Sequence, residues 1–393
     1  MRVAHIITRM IVGGAQENTL YNCLDLIRQY GDDVVLITGP TLGPEGRLLE
    51  QGRAEGLPVH LVDSLRRSIH PLNDLAAYRE LARFLRTFKP DVVHTHSAKG
   101  GMLGRAAASA VRVPAIIHSV HGAPFHPYQN VLSRSFFRNC ERWAAGKCHR
   151  IISVADAMTE LMVSNGVAPK EKFTTVYSGM AVEPFLNAND HRNAMRHELG
   201  FKEDDVVVGK IARLFHLKGH EYIIQTARDI VSRAPNVRFL WVGDGILRHK
   251  MEWQIRQMGL EDRFVFAGLV PPEEIPKYFG AMDILVHTSL REGLARALPQ
   301  GLLAGKPVIS YDVDGAREVV LNDRTGYLLP PRSTRELADS IVKLAMDATL
   351  RHKMGELGRS LFTEQFRHEV MTARIREIYC EVLANNLLSR SVP

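Results

Sequence analysis

The sequence has no apolar run approaching the roughly 18 residues needed to cross a bilayer as a helix, so a helical integral membrane protein is not expected. Cysteine is scarce: Cys23, Cys140, Cys148 and Cys380 are scattered, with neither a Cys-x-x-Cys pair nor the Cys/His spacing of a zinc site. Reduced core thiols are therefore expected, without a disulfide framework or a structural metal. The N-terminal run Met1-Arg2-Val3-Ala4-His5-Ile6-Ile7-Thr8 leads into a glycine loop, not a small-residue cleavage site, which reads as a cytoplasmic chain. No Gly-x-Gly-x-x-Gly follows that first run, and the 50 lysines and arginines are spread over both halves with no nucleic-acid reading motif. A net charge of +7 suits phosphate-bearing ligands, an anionic membrane surface or nucleic acid, and does not choose among them.

What is present is a regular alternation of short apolar runs with amphipathic helical stretches, the pattern of parallel sheets with crossover helices. Strands are expected at 3–8, 34–38, 59–62, 92–95, 115–120, 151–154 and 174–177, and again at 206–211, 239–242, 264–267, 284–287, 308–311 and 326–329. Between the two sets, Ser178-Gly179-Met180-Ala181-Val182-Glu183-Pro184-Phe185 reads as a linker. At 393 residues the chain suits two domains. The simplest α/β arrangement is two Rossmann-like domains in tandem, 1–182 and 183–367, followed by a terminal helix in 368–393. Open α/β sheets bind ligands beyond the carboxyl ends of their strands.

The most informative stretch is Ser289-Leu-Arg-Glu-Gly-Leu-Ala-Arg-Ala-Leu-Pro-Gln-Gly-Leu-Leu-Ala-Gly-Lys-Pro307, which follows a strand and reads as a tight loop opening a helix that ends near Gly305. Free N–H groups at such a junction suit a phosphate or a hydroxyl-rich ligand, with Glu292 at its mouth as a hydrogen-bond acceptor. Pro299 predicts a kink or a late helix start. Gly13-Gly14 opens the first helix and is either a plain tight turn or a close approach of backbone to ligand. His94 and His96 point to one side of their strand, a possible metal edge without a spaced third ligand; cleft-lining or structural histidines are preferred. His118 and His121 fall on opposite faces. The helix 131–148 carries Arg134, Arg138 and Arg142 beside Phe136, Phe137 and Trp143. A solvated basic face over buried aromatics is the commoner arrangement; contact with anionic lipid headgroups is the alternative. Gly209 to Gly219 places Arg213 and Lys218 in a loop after a strand, and Val242-Gly243-Asp244-Gly245 ends the next. Asp244 there either caps a helix or meets a ligand.

These motifs together resemble the retaining GT-B glycosyltransferases of family 4, also called glycosyltransferase group 1. Glu292-Gly293-Leu294 and Ala304-Gly305-Lys306-Pro307-Val308-Ile309 match that family's E-x7-E region, whereas Gln300 stands at the second glutamate, Pro299 at a usually aliphatic position and Ala295 where Gly or Pro is usual. The resemblance covers nearly the whole chain. It implies a GT-B fold, two Rossmann-like domains facing across a cleft, with the last helix crossing back to the N-terminal domain. It also implies transfer of a sugar from a nucleoside diphosphate sugar to an acceptor hydroxyl, carbohydrate or lipid-linked, in bacterial-type polysaccharide or glycolipid synthesis. No metal and no cofactor would be required. By the same resemblance His121 lies near the transferred sugar, Arg213 and Lys218 face the donor diphosphate, and Glu292 takes donor-sugar hydroxyls. Gly13, Gly14, Gly243, Asp244, Gly293 and Leu294 line the donor, and Gln300 replaces the residue that holds the ribose. A nucleotide-sugar epimerase of the same fold and a catalytically silent nucleotide-sugar-binding subunit are the competing readings. The donor nucleotide, the sugar and the acceptor are not written in the motifs.

Overall fold

The computed structural model describes residues 1–11, 13–40 and 47–391. Val392 and Pro393, the end of the expected terminal segment, lie outside them. The chain forms two compact units: one takes Met1–Met180 and the chain from Phe366 onward, the other Ala181–Gln365. The first passage between them falls inside the stretch that reads as a linker.

The first unit is built on β1 (Arg2–Arg9), β2 (Asp33–Gly39), β3 (Val59–Leu61), β4 (Val92–His96), β5 (Ala115–Val120), β6 (Arg150–Ser153) and β7 (Phe173–Thr175), in the order β3-β2-β1-β4-β5-β6-β7. All pairings are parallel. Helices cover both faces, which is why the central strands read as near-continuous apolar runs: every residue of β4 and of β5 is buried. Chain order reverses direction between β1 and β4, so this junction is the sheet's switch point, where the connections leave on opposite faces and open a crevice.

The second unit repeats the plan with β8 (Val206–Ile211), β9 (Val237–Val242), β10 (Phe264–Gly268), β11 (Ile284–His287), β12 (Val308–Tyr311) and β13 (Gly326–Leu329), ordered β10-β9-β8-β11-β12-β13 and again parallel. Its switch point lies between β8 and β11. Val208, Phe239, Trp241, Val286 and Ile309 form the centre of its core.

The last helix, His368–Ser391, belongs to the first unit. Ile375, Ile378 and Val382 enter the core beside Leu20 and Leu24 of the helix Gly14–Tyr30. Polar contacts fix its register: Asn22 Nδ2 donates to Thr372 Oγ1 at 3.2 Å, Thr372 Oγ1 donates to Asp25 at 2.9 Å, and Arg376 Nε donates to Asp32 at 3.0 Å.

Two expectations are corrected. Cys23 and Cys148 are buried and Cys140 half-buried, but Cys380 is exposed, so not every thiol is in the core. The helix Val131–Ala145 does not hide its aromatics either: Leu132, Phe136 and Trp143 are 84%, 54% and 53% exposed. Spaced four and seven residues apart, they lie along one outward stripe. Among the described residues no helix is long and apolar enough to cross a membrane.

Candidate functional site

At the switch point of the second unit, the loop after β8 is pressed against the end of β11. Gly219 makes this possible: at φ +72°, a Cβ there would stand 1.8 Å from Thr288 O, so only glycine fits. The residues around this approach form two linked contacts. Lys210 Nζ, fully buried at the end of β8, donates to Thr288 Oγ1 at 3.0 Å, and that hydroxyl donates to Gly219 O at 2.7 Å. Lys218 Nζ donates to Glu292 Oε1 at 2.6 Å, and His287 Nε2 stands 3.3 Å from the same oxygen. The Glu292 N–H is held in turn by Asp314 Oδ2 at 2.6 Å.

Electrostatics follow from this packing. Burial alone would raise the Glu292 carboxyl, but the close approach of His287 Nε2 and the charge of Lys218 outweigh it and hold the group well below the usual carboxylate range. Burial pushes Lys210 down to about 7, with Lys218 adding repulsion. Burial also lowers His287, against the pull of Glu292. The result is a carboxylate fixed in its anionic form beside Lys218, with Lys210, lowered to about 7, bonded to the nearby Thr288. A group of this kind can accept hydrogen bonds from vicinal hydroxyls while its ammonium partner, with three donors, also reaches an anion.

The structure differs from the expected strand, tight loop and helix mouth. The helix starts only at Ala297 and ends at Leu303, so Glu292 does not sit at a helix N-terminus; its charge is balanced by Lys218 instead, with the His287 imidazole beside the same oxygen. Pro299 falls in the first turn, where its missing N–H would have had no partner in any case, which explains the late start. Gly293 accepts from Gly315 N at 3.2 Å in the intervening loop, Leu294 is half-buried there, and Gln300 is half-buried within the short helix.

The other candidates of this unit lie in the loops that follow β8 and β9. Arg213 is exposed, its guanidinium 5.3 Å from the Phe215 ring centre. Gly243, at φ +132°, allows no Cβ because Ala212 O would be 2.3 Å away. Asp244 does not cap a helix: Oδ1 accepts from Gly245 N at 2.7 Å, and Oδ2 pairs with Arg248 at 3.2 Å, with the side chain 44% exposed.

In the first unit, Gly13 precedes the helix Gly14–Tyr30 and its carbonyl accepts from Gln16 N and Glu17 N. His121 lies just past β5, with Nε2 3.2 Å from His96 Nδ1. His118 faces the other side of the sheet, against Thr95 Oγ1 at 2.9 Å. A third histidine joins His94 and His96 from the neighbouring strand: His5, Cα-paired with His94, brings candidate nitrogens of all three within 4.8 Å. Lys210, His287, Asp314 and His5 were not singled out from sequence. For Lys210 and His5 the signal was a single ionisable residue inside an otherwise apolar strand run.

Comparison with known proteins agrees with this architecture over both units. Residues 13–179 match the family described as "Glycosyl transferase 4-like domain" and residues 191–361 the family "Glycosyl transferases group 1". A relative from Escherichia coli, "UDP-Gal:alpha-D-GlcNAc-diphosphoundecaprenol alpha-1,3-galactosyltransferase", is 26% identical over 98% of each chain. The Staphylococcus aureus "Capsular polysaccharide biosynthesis glycosyltransferase CapM" is 23% identical over 91% of this chain and 92% of that one. Among solved structures, Anabaena Alr3699/HepE in complex with UDP superposes with a TM-score of 0.81 at 21% identity, over 97% of this chain and 100% of that chain. With two matches that between them take in most of the chain and a shared fold from end to end, the protein belongs to the group 1 glycosyltransferases and is a glycosyltransferase of the GT-B fold.

Proposed function

We propose that the protein is a retaining, metal-independent hexosyltransferase that moves a sugar from a nucleoside diphosphate sugar to an acceptor hydroxyl in the synthesis of a bacterial-type polysaccharide or glycolipid. The observation that carries this reading is the Lys218–Glu292–His287 cluster backed by Lys210 at the switch point of the second unit. A uridine diphosphate sugar is the favoured donor, since the Anabaena neighbour was solved with UDP and the Escherichia coli relative is named for UDP-Gal.

In this reading Glu292 accepts hydrogen bonds from donor-sugar hydroxyls, and Arg213 and Lys218 neutralise the diphosphate as the bond from the anomeric carbon to its oxygen breaks. The acceptor oxygen bonds to the same face of that carbon, and its proton passes to the leaving phosphate, so no second carboxylate is needed. The cations take the place that a divalent ion would otherwise fill. Backbone at Gly13, Gly14, Gly243, Asp244, Gly293 and Leu294 approaches the donor, Gln300 meets the ribose, and His121 donates to a sugar hydroxyl.

The acceptor is read as lipid-linked and the enzyme as peripheral at the inner face of an anionic membrane. Leu132, Phe136 and Trp143 project outward beside the Arg134, Arg138 and Arg142 row, apolar groups for the acyl boundary and cations for headgroups. An open cavity of about 460 Å³ walled by Leu75, Tyr78, Met102, Leu103 and Trp143 adjoins that stripe. Sedimentation with phosphatidylglycerol vesicles but not phosphatidylcholine vesicles, lost in a Phe136→Ser/Trp143→Ser variant, would support the membrane part; equal partition into both would remove it.

The donor part is tested by thermal shift with UDP-, GDP- and ADP-sugars, with and without EDTA, because a ligand specific to the native state raises the midpoint by mass action. A shift with one nucleotide class, insensitive to EDTA and lost in Arg213→Ala, is expected. Stabilisation that appears only with a divalent ion would overturn the metal-independent mechanism.

A further inference from the structure

The first unit buries two histidines that the transfer chemistry does not use, in line with His121. His5 on β1 and His96 at the end of β4 are fully buried, with nearly parallel rings 12° apart, and His5 Nδ1 lies 3.0 Å from His96 Nε2. His96 Nδ1 lies 3.2 Å from His121 Nε2. His94 stands beside this line but is engaged elsewhere: its Nδ1 meets Tyr379 Oη at 2.5 Å and its Nε2 meets Ser119 Oγ at 2.7 Å.

Each neutral imidazole has one N–H and one bare nitrogen, so a line of them can run in one of two directions. The far end decides. His5 Nε2 is buried without a partner. If the line ran from His121 inward, His5 would accept at Nδ1 and carry its proton on Nε2, an orphaned buried N–H. Orphaned donors in protein interiors are rare, and leaving one unmade costs its desolvation. Run outward, the line leaves only a bare lone pair at His5 Nε2: His5 Nδ1–H donates to His96 Nε2, and His96 Nδ1–H donates to His121 Nε2.

We infer that His5 and His96 are positioning residues that lock His121 in one tautomer, with its proton on Nδ1 and Nε2 occupied as an acceptor. His121 then presents a fixed N–H donor and is not a proton acceptor. The role given to that donor, a hydrogen bond to a hydroxyl of the bound sugar, rests on the function proposed above; the lock itself does not. The surroundings keep the line neutral. His94 on β4, His118 across the sheet with Arg105 beyond it, and Tyr379 from the last helix face it, each without negative charge at neutral pH. Burial holds His5 at about 3 and His96 well below the ordinary imidazole range, each with the proton count the line needs. The same geometry disfavours the other use of a histidine cluster, since a metal bound by His5, His94 and His96 would have to break the contacts of His94 to Tyr379 or Ser119.

The test is nitrogen-15 NMR of the full chain labelled at histidine, with the His121 signals assigned by their loss in His121→Asn. The wild-type spectrum should show His121 protonated at Nδ1 and bare at Nε2. His96→Asn, whose amide can still donate to His121 Nε2, should keep that tautomer and hold kcat/KM within about threefold. His96→Leu should let His121 sample both tautomers and lower kcat/KM about tenfold, the scale of one hydrogen bond. His121 found protonated at Nε2 in the wild type would overturn the inference, as would an unchanged tautomer in His96→Leu or near-stoichiometric zinc in the purified chain that is lost in His5→Ala. The wild-type spectrum needs no variant to fold. If the tautomer is as expected while nucleotide sugars give no thermal shift, the lock stands and the proposed donor reading fails.

Discussion

Both units place ionisable side chains at the same topological position, the switch point of a parallel sheet, and they keep them in opposite electrical states. Between β1 and β4 the groups are imidazoles, neutral and hydrogen-bonded to one another. Between β8 and β11 they are a lysine–carboxylate pair and a second, buried lysine. A neutral network in a low-dielectric interior is directional, because each proton has one place to sit. A charged cluster is adaptable and strong, because an ammonium can turn between partners and each interaction is magnified away from water. Fixed neutral donors suit recognition of hydroxyls, and clustered charges suit a leaving group that gains negative charge.

The largest way to break this contrast is to neutralise the charged side. Glu292→Gln keeps the shape and one acceptor oxygen but leaves Lys218 without its counter-ion. Transfer should fall about 100- to 1,000-fold in kcat/KM, the scale for removing one preorganised electrostatic partner, with the folded state retained. Product formation from the donor identified by thermal shift measures it; activity within about threefold of wild type would show that this cluster is not where the sugar is held.

Acid sharpens the contrast next. His5, His94, His96 and His118 in the first unit are all held below the ordinary imidazole value, chiefly by burial, as are His220 and His287 in the second. A histidine depressed in the fold is neutral in both states above about pH 6.5. Below that the unfolded chain takes the proton first, so stability is lost as pH falls, by about 1.4 kcal/mol per unit and per group. With four such groups against two, peptides from β1, β4 and β5 should lose hydrogen-exchange protection before those from β8 and β11 as pH drops from 6.5 to 4.5. Simultaneous loss in both units would refute the difference in burial chemistry.

How much of this was legible in the sequence divides along the same line. Strand positions were readable because both sheets are buried on both faces, so their strands are apolar runs bounded by polar loops, and β5, β8, β11, β12 and β13 span the expected residues. Lys218 and Glu292 were readable as motif members, but their mutual bond was not, because it depends on how close Gly219 brings the loop to Thr288. The histidine line of the first unit was hidden for a different reason. Spacing along one strand shows His94 and His96 on one side, but the register that sets His5 opposite His94 is a property of strand pairing. The exposed stripe of the helix Val131–Ala145 was misread because amphipathic aromatics are usually buried, and only packing shows which face looks out.

Lys210 offers a subtler probe of the charged side. Burial lowers it to about 7 from an ordinary value near 10.5. Below pH 7 the ammonium is charged in both states and its desolvation weakens the fold; between 7 and 10.5 the unfolded chain holds the proton and the folded one does not, so stability rises with pH across that window. Lys210→Met should raise the melting temperature at pH 7 by a few degrees, abolish the alkaline gain, and weaken nucleotide-sugar binding, a stability gained at the expense of function. A lower melting temperature at pH 7 would mean that the bond to Thr288 outweighs the cost of burying the charge.

The smallest expected effect lies at Gln300, where the charged side of the molecule has given up a charge. Gln300 sits in the short helix Ala297–Leu303, its N–H bonded to Arg296 O, directly after Pro299 in the helix's first turn. An amide offers a ribose hydroxyl one acceptor oxygen; a carboxylate offers two and adds charge assistance, a difference of about 1 kcal/mol per hydrogen bond. Gln300→Glu should therefore tighten binding of the nucleoside diphosphate about fivefold by calorimetry, with little change in the turnover number, because the ribose takes no part in the bond that breaks. Unchanged affinity would place the ribose away from this helix. Weaker affinity would mean that a carboxylate here meets the negative charge of the diphosphate, and that the neutral amide is the better residue for the donor this enzyme uses.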